Sequence, residues 1–216
     1  MTIPRLPNKQ FQFIILNTDL SKVHENDKDV HNMSLAKETY YTIEDIYNLP
    51  EGKRAELIDG QIYFMAPPTY RHQEIVFELS LTIGNYIKSK KGPCKVLPAP
   101  FAVFLTKNKK NYVEPDISVI CDKSKLTEKG CNGSPDWIIE IVSPSSKNMD
   151  YHTKLFKYRN TGVREYWIVD PMKSRIMAHN FKSNTMEEYS FSDLIKVGIY
   201  EDLYINFAEI SETLDI

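Results

Sequence analysis

Acids in apolar surroundings are the first chemical signal in this sequence. The run Trp137-Ile138-Ile139-Glu140-Ile141-Val142 reads as a buried strand, apolar on both faces, with one carboxylate in its middle. An ionised carboxylate in such a place costs several kcal/mol unless a cation, a metal or hydrogen-bond donors compensate it. Asp116 has a similar setting at the head of Ile117-Ser118-Val119-Ile120, after a proline that suits only a strand start or an edge. If the two strands are neighbours, Asp116 and Glu140 lie side by side, and their mutual repulsion raises one pKa unless positive charge offsets it. A divalent cation is one solution, and oxygen ligands favour Mg2+ or Mn2+. A salt bridge from each acid to a buried Arg or Lys is the other, and the residues alone leave both open.

A third group follows Glu140 in the chain. Tyr151, Leu155 and Tyr158 make the apolar row of a helix expected over about residues 150–160, and Asp150, Lys154 and Lys157 flank that row. Asp150 and Lys154 could be an ordinary surface pair. Alternatively, the Lys154 ammonium could reach the two carboxylates, where it would orient a water or stabilise charge on a phosphoryl group. His72 falls on the apolar side of a longer helix, either as a satisfied edge histidine or as a substrate or metal contact at the helix start. Glu56 enters a strand from a polar loop, as an exposed acid or as support for the site. No nucleophile elbow, P-loop, GxGxxG or HExxH is present, which removes those chemistries.

Local signals place the elements that must carry these groups. Thr42 with Asp45 caps a short helix that Pro50 ends. Asp59-Gly60 between AELI and QIYFMA is a hairpin turn. Ile75, Leu79, Ile83 and Ile87 repeat at helical spacing within residues 69–90, opposite a polar row of Arg71, Glu74, Glu78, Thr82 and Asn85. Strand patterns follow in CKVLPAPFAVFL, YVEPDISVICD and PDWIIEIVSP. After the second helix, with Gly162 past its end, come REYWIVD, RIMAHNF and EEYSF. Hairpin, helix, strands, helix and strands in this order predict an α/β protein with a mixed central sheet flanked by helices. Residues 1–38 read as a polar arm containing one strand candidate, FQFII. Residues 39–208 read as the domain and 209–216 as an acidic tail.

Composition bounds the rest. At 42% hydrophobic and 12% aromatic residues, the 216-residue chain can build one sizeable core. No apolar run approaches the ~18 residues of a membrane span. The start of the sequence has no secretory h-region, so a cytoplasmic location is expected. The net charge of −2 excludes a bulk-basic nucleic-acid protein. Even so, no acid occurs between Glu78 and Glu114, whereas seven lysines do, a one-sided stretch that could meet phosphates or simply be solvated. Cys94, Cys121 and Cys131 form no CxxC pair. Three free thiols in a reducing compartment are expected, not a zinc site or a disulfide framework.

Several short motifs occur in a familiar order. They are Glu56-Leu57-Ile58-Asp59-Gly60, Arg71-His72-Gln73, Glu114-Pro115-Asp116-Ile117-Ser118-Val119, and Pro135-Asp136-Trp137 through Glu140 to Ser146. Asp150-Tyr151-His152-Thr153-Lys154, Tyr158 and Thr161-Gly162-Val163-Arg164-Glu165-Tyr166-Trp167-Ile168-Val169-Asp170-Pro171 follow. Over about residues 40–207 the chain resembles the Uma-two family of putative restriction endonucleases, within the PD-(D/E)XK nuclease superfamily. The resemblance implies a restriction-endonuclease-like fold and Mg2+-dependent hydrolysis of DNA phosphodiester bonds. It also implies that Asp116 and Glu140 are the metal-binding acids. The superfamily pattern places a lysine two residues after the Glu, where this chain has Val142. The resemblance puts Lys154, on the following helix, in that role. Glu56, His72 and Asp150 are possible supporting residues. A homodimer is expected as well, because two-strand cleavage commonly uses C₂ symmetry. A non-catalytic nucleic-acid-binding module, or an interaction protein on a nuclease fold, is the alternative.

Overall fold

The computed structural model describes residues 40–214. The arm expected over residues 1–38, with its strand candidate, lies outside the described residues.

Helix α1, Ile43–Tyr47, starts at Thr42, whose N–H donates to the Asp45 carboxylate at 2.8 Å. Strands β1, Ala55–Ile58, and β2, Gln61–Phe64, form the expected hairpin. Asp59 and Gly60 both have positive φ, 51° and 80°, as a two-residue turn that matches strand twist requires. Helix α2, Tyr70–Ser89, is capped by Thr69 and buries Ile75, Val76, Leu79, Ile83 and Ile87.

The predicted strand CKVLPAPFAVFL is divided in two, β3 at Lys95–Pro98 and β4 at Val103–Phe104. Pro98 and Pro100 lack the N–H that a continuous ladder needs. Strand β5 is Ile117–Ile120. The next stretch, between the second and third strand patterns, holds a 3₁₀ turn at Lys123–Lys125 and then β6, Leu126–Thr127, and β7, Gly130–Asn132. These two strands and β4 form a small sheet. Strand β8, Trp137–Ile141, leads through a π-helical turn at Met149–Lys154 into α3, Leu155–Thr161. Gly162, at φ 98°, ends α3 in the left-handed conformation that glycine adopts without strain.

The C-terminal part contains β9 (Glu165–Asp170), β10 (Arg175–Asn180) and β11 (Thr185–Ser190), then β12 (Leu194–Lys196), β13 (Tyr204–Asn206) and α4 (Phe207–Thr213). Residues 209–214, expected within an acidic tail, belong to this last helical segment. It buries Phe207, Ile210 and Leu214, because apolar residues at i, i+3 and i+7 share one helix face.

The main sheet has the order β11-β10-β9-β8-β5-β3. Only β8 and β9 run parallel, joined by the crossover through α3, and the other pairs are antiparallel. Strand alternation divides the core. Trp137, Ile139 and Ile141 face α2 and α4 with Trp167 and Phe207. Ile138 and Val142 face α3 with Tyr158, Tyr166 and Ile168. Helices thus cover both faces of a mixed sheet, as the order of elements predicts. Glu140 shares a strand face with Ile138 and Val142 and so points to the α3 side. Each fully buried Ile contributes about 1.5–3 kcal/mol, so β8 can hold one acid without losing its place in the core.

The expectation of three free thiols is corrected. Cys94 and Cys121 form a disulfide, and only Cys131 is free. The register that pairs Lys95 with Ile120 sets the two cysteines opposite each other at the ends of β3 and β5. A separation of 27 residues hides this from the sequence. Among the described residues, no helix is long and apolar enough to cross a membrane.

Candidate active site

Four elements converge beside the end of β8. The start of β5 supplies Asp116, β8 supplies Glu140, β1 supplies Glu56, and the π-helical turn supplies Asp150 and Lys154. The Asp116 Oδ2 accepts the Ile141 N–H at 2.8 Å, and the Asp116 N–H lies 3.4 Å from Glu140 Oε2. The two acids predicted to be neighbours are therefore held at one point on adjacent antiparallel strands. Both line a cleft of about 670 Å³ with Glu56, His72, Asp150 and Lys154.

Lys154 is more deeply placed than a helix-flanking lysine would be. It is only 5% exposed, and its Nζ is 2.9 Å from Glu56 Oε2, 3.0 Å from Glu140 Oε1 and 3.7 Å from Asp150 Oδ1. Asp150 is 1% exposed, so the surface-pair reading of Asp150 and Lys154 does not hold. Both side chains are carried by the π-helical turn and line the cleft, and such turns are often found at functional sites. Glu56 is also buried, and its Oε1 accepts the Glu114 N–H at 3.0 Å. Val142, where a lysine would stand in the superfamily pattern, is packed in the core.

One ammonium amid three buried carboxylates fixes the electrostatics. Burial pushes the Glu140 carboxyl well above its ordinary range; Lys154 opposes the shift, and Asp116, Asp150 and Glu56 add to it. Burial likewise raises Asp150 to about 6, against the pull of Lys154. Burial alone would lower the Lys154 pKa, but Glu140, Glu56 and Asp150 outweigh it and the net shift is strongly upward. The ammonium stays charged, and the cluster favours retention of a proton on a carboxyl. His72 completes the rim, with Nε2 3.1 Å from Asp116 Oδ2. Burial pulls its pKa down, yet the hydrogen bond and charge of Asp116 carry the net shift upward.

Sequence reasoning missed two parts of this site. Tyr158 is fully buried and donates its hydroxyl to Glu140 Oε1 at 2.7 Å. Its position one turn beyond Lys154 was the available signal. Arg54 pairs with Glu114, whose Oε1 also accepts the Tyr112 hydroxyl at 2.6 Å. No local pattern links residues 60 positions apart.

The donor chemistry suits a hard divalent cation. Asp116 and Glu140 offer carboxylate oxygens, Glu140 Oε2 makes only the long contact to Asp116, and the buried Asp150 Oδ1 has no hydrogen-bond partner. Among the described residues, no three of His, Cys, Asp and Glu form a ready-made metal cluster. Two carboxylates are a sufficient protein contribution for Mg2+, which keeps several waters and takes further oxygens from phosphates.

The raised Asp150 pKa has a measurable consequence. A carboxyl that titrates at 3.8 in the unfolded chain and about 6 in the folded one favours folding only while protonated. Its contribution is fully present below about pH 4 and is lost as pH rises to about 6. Asp150→Asn should therefore match the parent in stability near pH 3.5 and gain on it progressively to pH 6. Urea denaturation across this range checks the sign, and a difference independent of pH would contradict it.

Comparison with known proteins agrees with this architecture. Residues 38–200 match the family model described as Uma2, putative restriction endonuclease. An uncharacterized protein of Synechocystis sp. strain PCC 6803, slr1290, is 29% identical over 118 residues. That match covers 54% of this chain and 60% of the relative, less than two thirds of its length. A crystal structure of a putative nuclease belonging to DUF820 from Anabaena variabilis superposes with a TM-score of 0.66 at 20% identity, over 80% of this chain and 98% of that one. At that identity the likeness bears on the fold.

Proposed function

The chain belongs to the Uma2 family of putative restriction endonucleases, and from that premise we propose that it hydrolyses DNA phosphodiester bonds in a divalent-metal-dependent reaction. One observation carries the reading. The Lys154 ammonium, brought in from the helix after β8, lies 3.0 Å from Glu140, and Asp116 adjoins that acid on the next strand. An acid, a second acid and a lysine thus meet at a cleft although the lysine is not on the strand. Asp116 and Glu140 would hold Mg2+ or Mn2+. When bound, the ion lowers the pKa of a water and neutralises charge on the scissile phosphate.

The chain's own residues prepare that place. Tyr158 and Lys154 both donate to Glu140 Oε1, which fixes the carboxylate and leaves Oε2 toward Asp116. The Ile141 N–H and His72 fix Asp116 in the same way. Glu56 pairs with Lys154 as well, so the ammonium stays charged while it orients a water or a phosphate oxygen. Preorganised charge of this kind needs no rearrangement when the reaction charge develops.

A second reading is a nucleic-acid-binding or interaction domain with an inert ion cluster. The near-complete burial of Lys154 is the observation that favours it. Incubating the protein with supercoiled plasmid and single-stranded circular DNA, in Mg2+, Mn2+ or EDTA, separates the two. Cleavage with either metal and none in EDTA is expected. DNA binding without cleavage in any metal would leave the second reading standing.

A further inference from the structure

We infer, resting on the nuclease reading above, that this cleft accepts a single-stranded or locally unpaired stretch of nucleic acid, and that Tyr63 is the residue on which a base stacks. Tyr63 lies in β2 directly opposite Glu56 in β1. Residues directly opposed in an antiparallel pair project to the same face of the hairpin. Tyr63 therefore shares a face with the acid that holds Lys154, and both line the same cleft. Glu56 is 4% exposed, whereas Tyr63 is 36% exposed, so the ring stands at the rim above the buried charges. Pro67 and Pro68, between this hairpin and α2, line the same cleft.

The charges of the cleft decide between duplex and single strand. Its lining cations are Arg54, Lys154 and His72, and each already faces a carboxylate: Glu114 for Arg54, Glu56 and Glu140 for Lys154, Asp116 for His72. Asp150 adds a further acid to the lining. None of the seven lysines in the acid-free stretch of the sequence lines the cleft; Lys90 pairs with Asp202 and Lys109 with Glu44. Duplex recognition draws on many phosphate contacts from lysine and arginine, which this cleft does not offer. Aromatic and apolar surface beside the reacting groups is what single-strand sites use, because every base has a face to stack. A paired base has both faces covered by its neighbours, and an unpaired one does not.

The test uses a fluorescein-labelled oligonucleotide, alone or annealed to its complement, titrated with the full chain in EDTA and followed by anisotropy. The parent should bind the single strand at least tenfold more tightly than the duplex. Tyr63→Ala should weaken single-strand binding about tenfold, the scale of one lost base–aromatic stack, and Tyr63→Phe should stay within about twofold of the parent. Tyr63 is one of the exposed large apolar side chains, and circular dichroism of both variants would verify the fold. Equal or tighter duplex binding by the parent, no binding of either oligonucleotide, or unchanged binding by Tyr63→Ala would overturn the inference. Plasmid cleavage in Mg2+ keeps the two readings apart. If Tyr63→Ala cuts duplex plasmid like the parent, the stacking role falls and the nuclease reading stands. If the parent cuts no DNA in any metal, the nuclease reading falls.

Discussion

Lys154→Ala is expected to abolish DNA cleavage and to destabilise the fold by about 3–5 kcal/mol at pH 7, the cost of removing one partner from a buried ion pair. The sequence suggested a milder outcome, since a lysine flanking a helix's apolar row would be partly exposed. Its burial between Glu56, Glu140 and Asp150 reverses that expectation. The substitution would leave three buried carboxylates with no ammonium or guanidinium among the ion pairs of the described residues. The loss should shrink as pH falls toward 4, because protonation removes the charges that Lys154 compensates. Pairing Lys154→Met with Glu56→Gln should recover part of the stability and none of the cleavage, which separates chemistry from folding. Chemical denaturation at pH 4 and pH 7, with plasmid cleavage measured on the same samples, checks both halves. A Lys154→Ala protein as stable as the parent at pH 7, or one that cuts at the parental rate, would refute the role assigned to this residue.

Asp116→Asn should reduce cleavage by about a thousandfold with little change in stability. The amide oxygen can still accept the Ile141 N–H, so the hydrogen bond that fixes the strand end is kept. The lost negative charge removes one of the two proposed metal anchors. The several kcal/mol a bound metal supplies to the transition state correspond to a loss of that order. Mn2+ titration calorimetry should show binding by the parent and none by the variant. A second signal comes from His72. Its upward pKa shift comes mainly from Asp116, so in Asp116→Asn the imidazole should titrate at lower pH, with burial then opposed by only Gln73 and Asp150. Undiminished Mn2+ binding by the variant would exclude Asp116 from the metal site. An unmoved His72 titration would show that the contact between the two is absent in solution.

The features read correctly from the sequence are those set by nearby residues. Thr42 with Asp45, Asp59-Gly60, the row from Ile75 to Ile87 and Gly162 each act within a turn or two, and each element begins or ends where its signal stands. The apolar context of Asp116 and Glu140 was equally visible, because burying a carboxylate has the same cost in any fold. Less local features were not visible. The proline break between β3 and β4 was overridden by the apolar character of the surrounding stretch. Strands β6, β7, β12 and β13 are too short to show a period. The disulfide depends on a register that the spacing of Cys94 and Cys121 does not reveal.

By itself, the sequence determined that this is a mixed α/β protein with two acids embedded in strands and a lysine on the helix that follows. Alternation and helical periodicity state which residues face inward, and a charged group inside an apolar run requires a partner. Only the tertiary structure decided which partner. Glu56 and Lys154 are far apart in the chain, and they meet because β1 and the turn before α3 close over the same end of β8. Tyr158 changed from a core side chain to the donor that fixes Glu140, and Asp150 from a surface acid to a buried one. The physical reason is range. Propensity and patterning act over one turn or one strand, whereas Coulomb and hydrogen-bond partners are assigned by whichever side chains packing brings within about 3 Å.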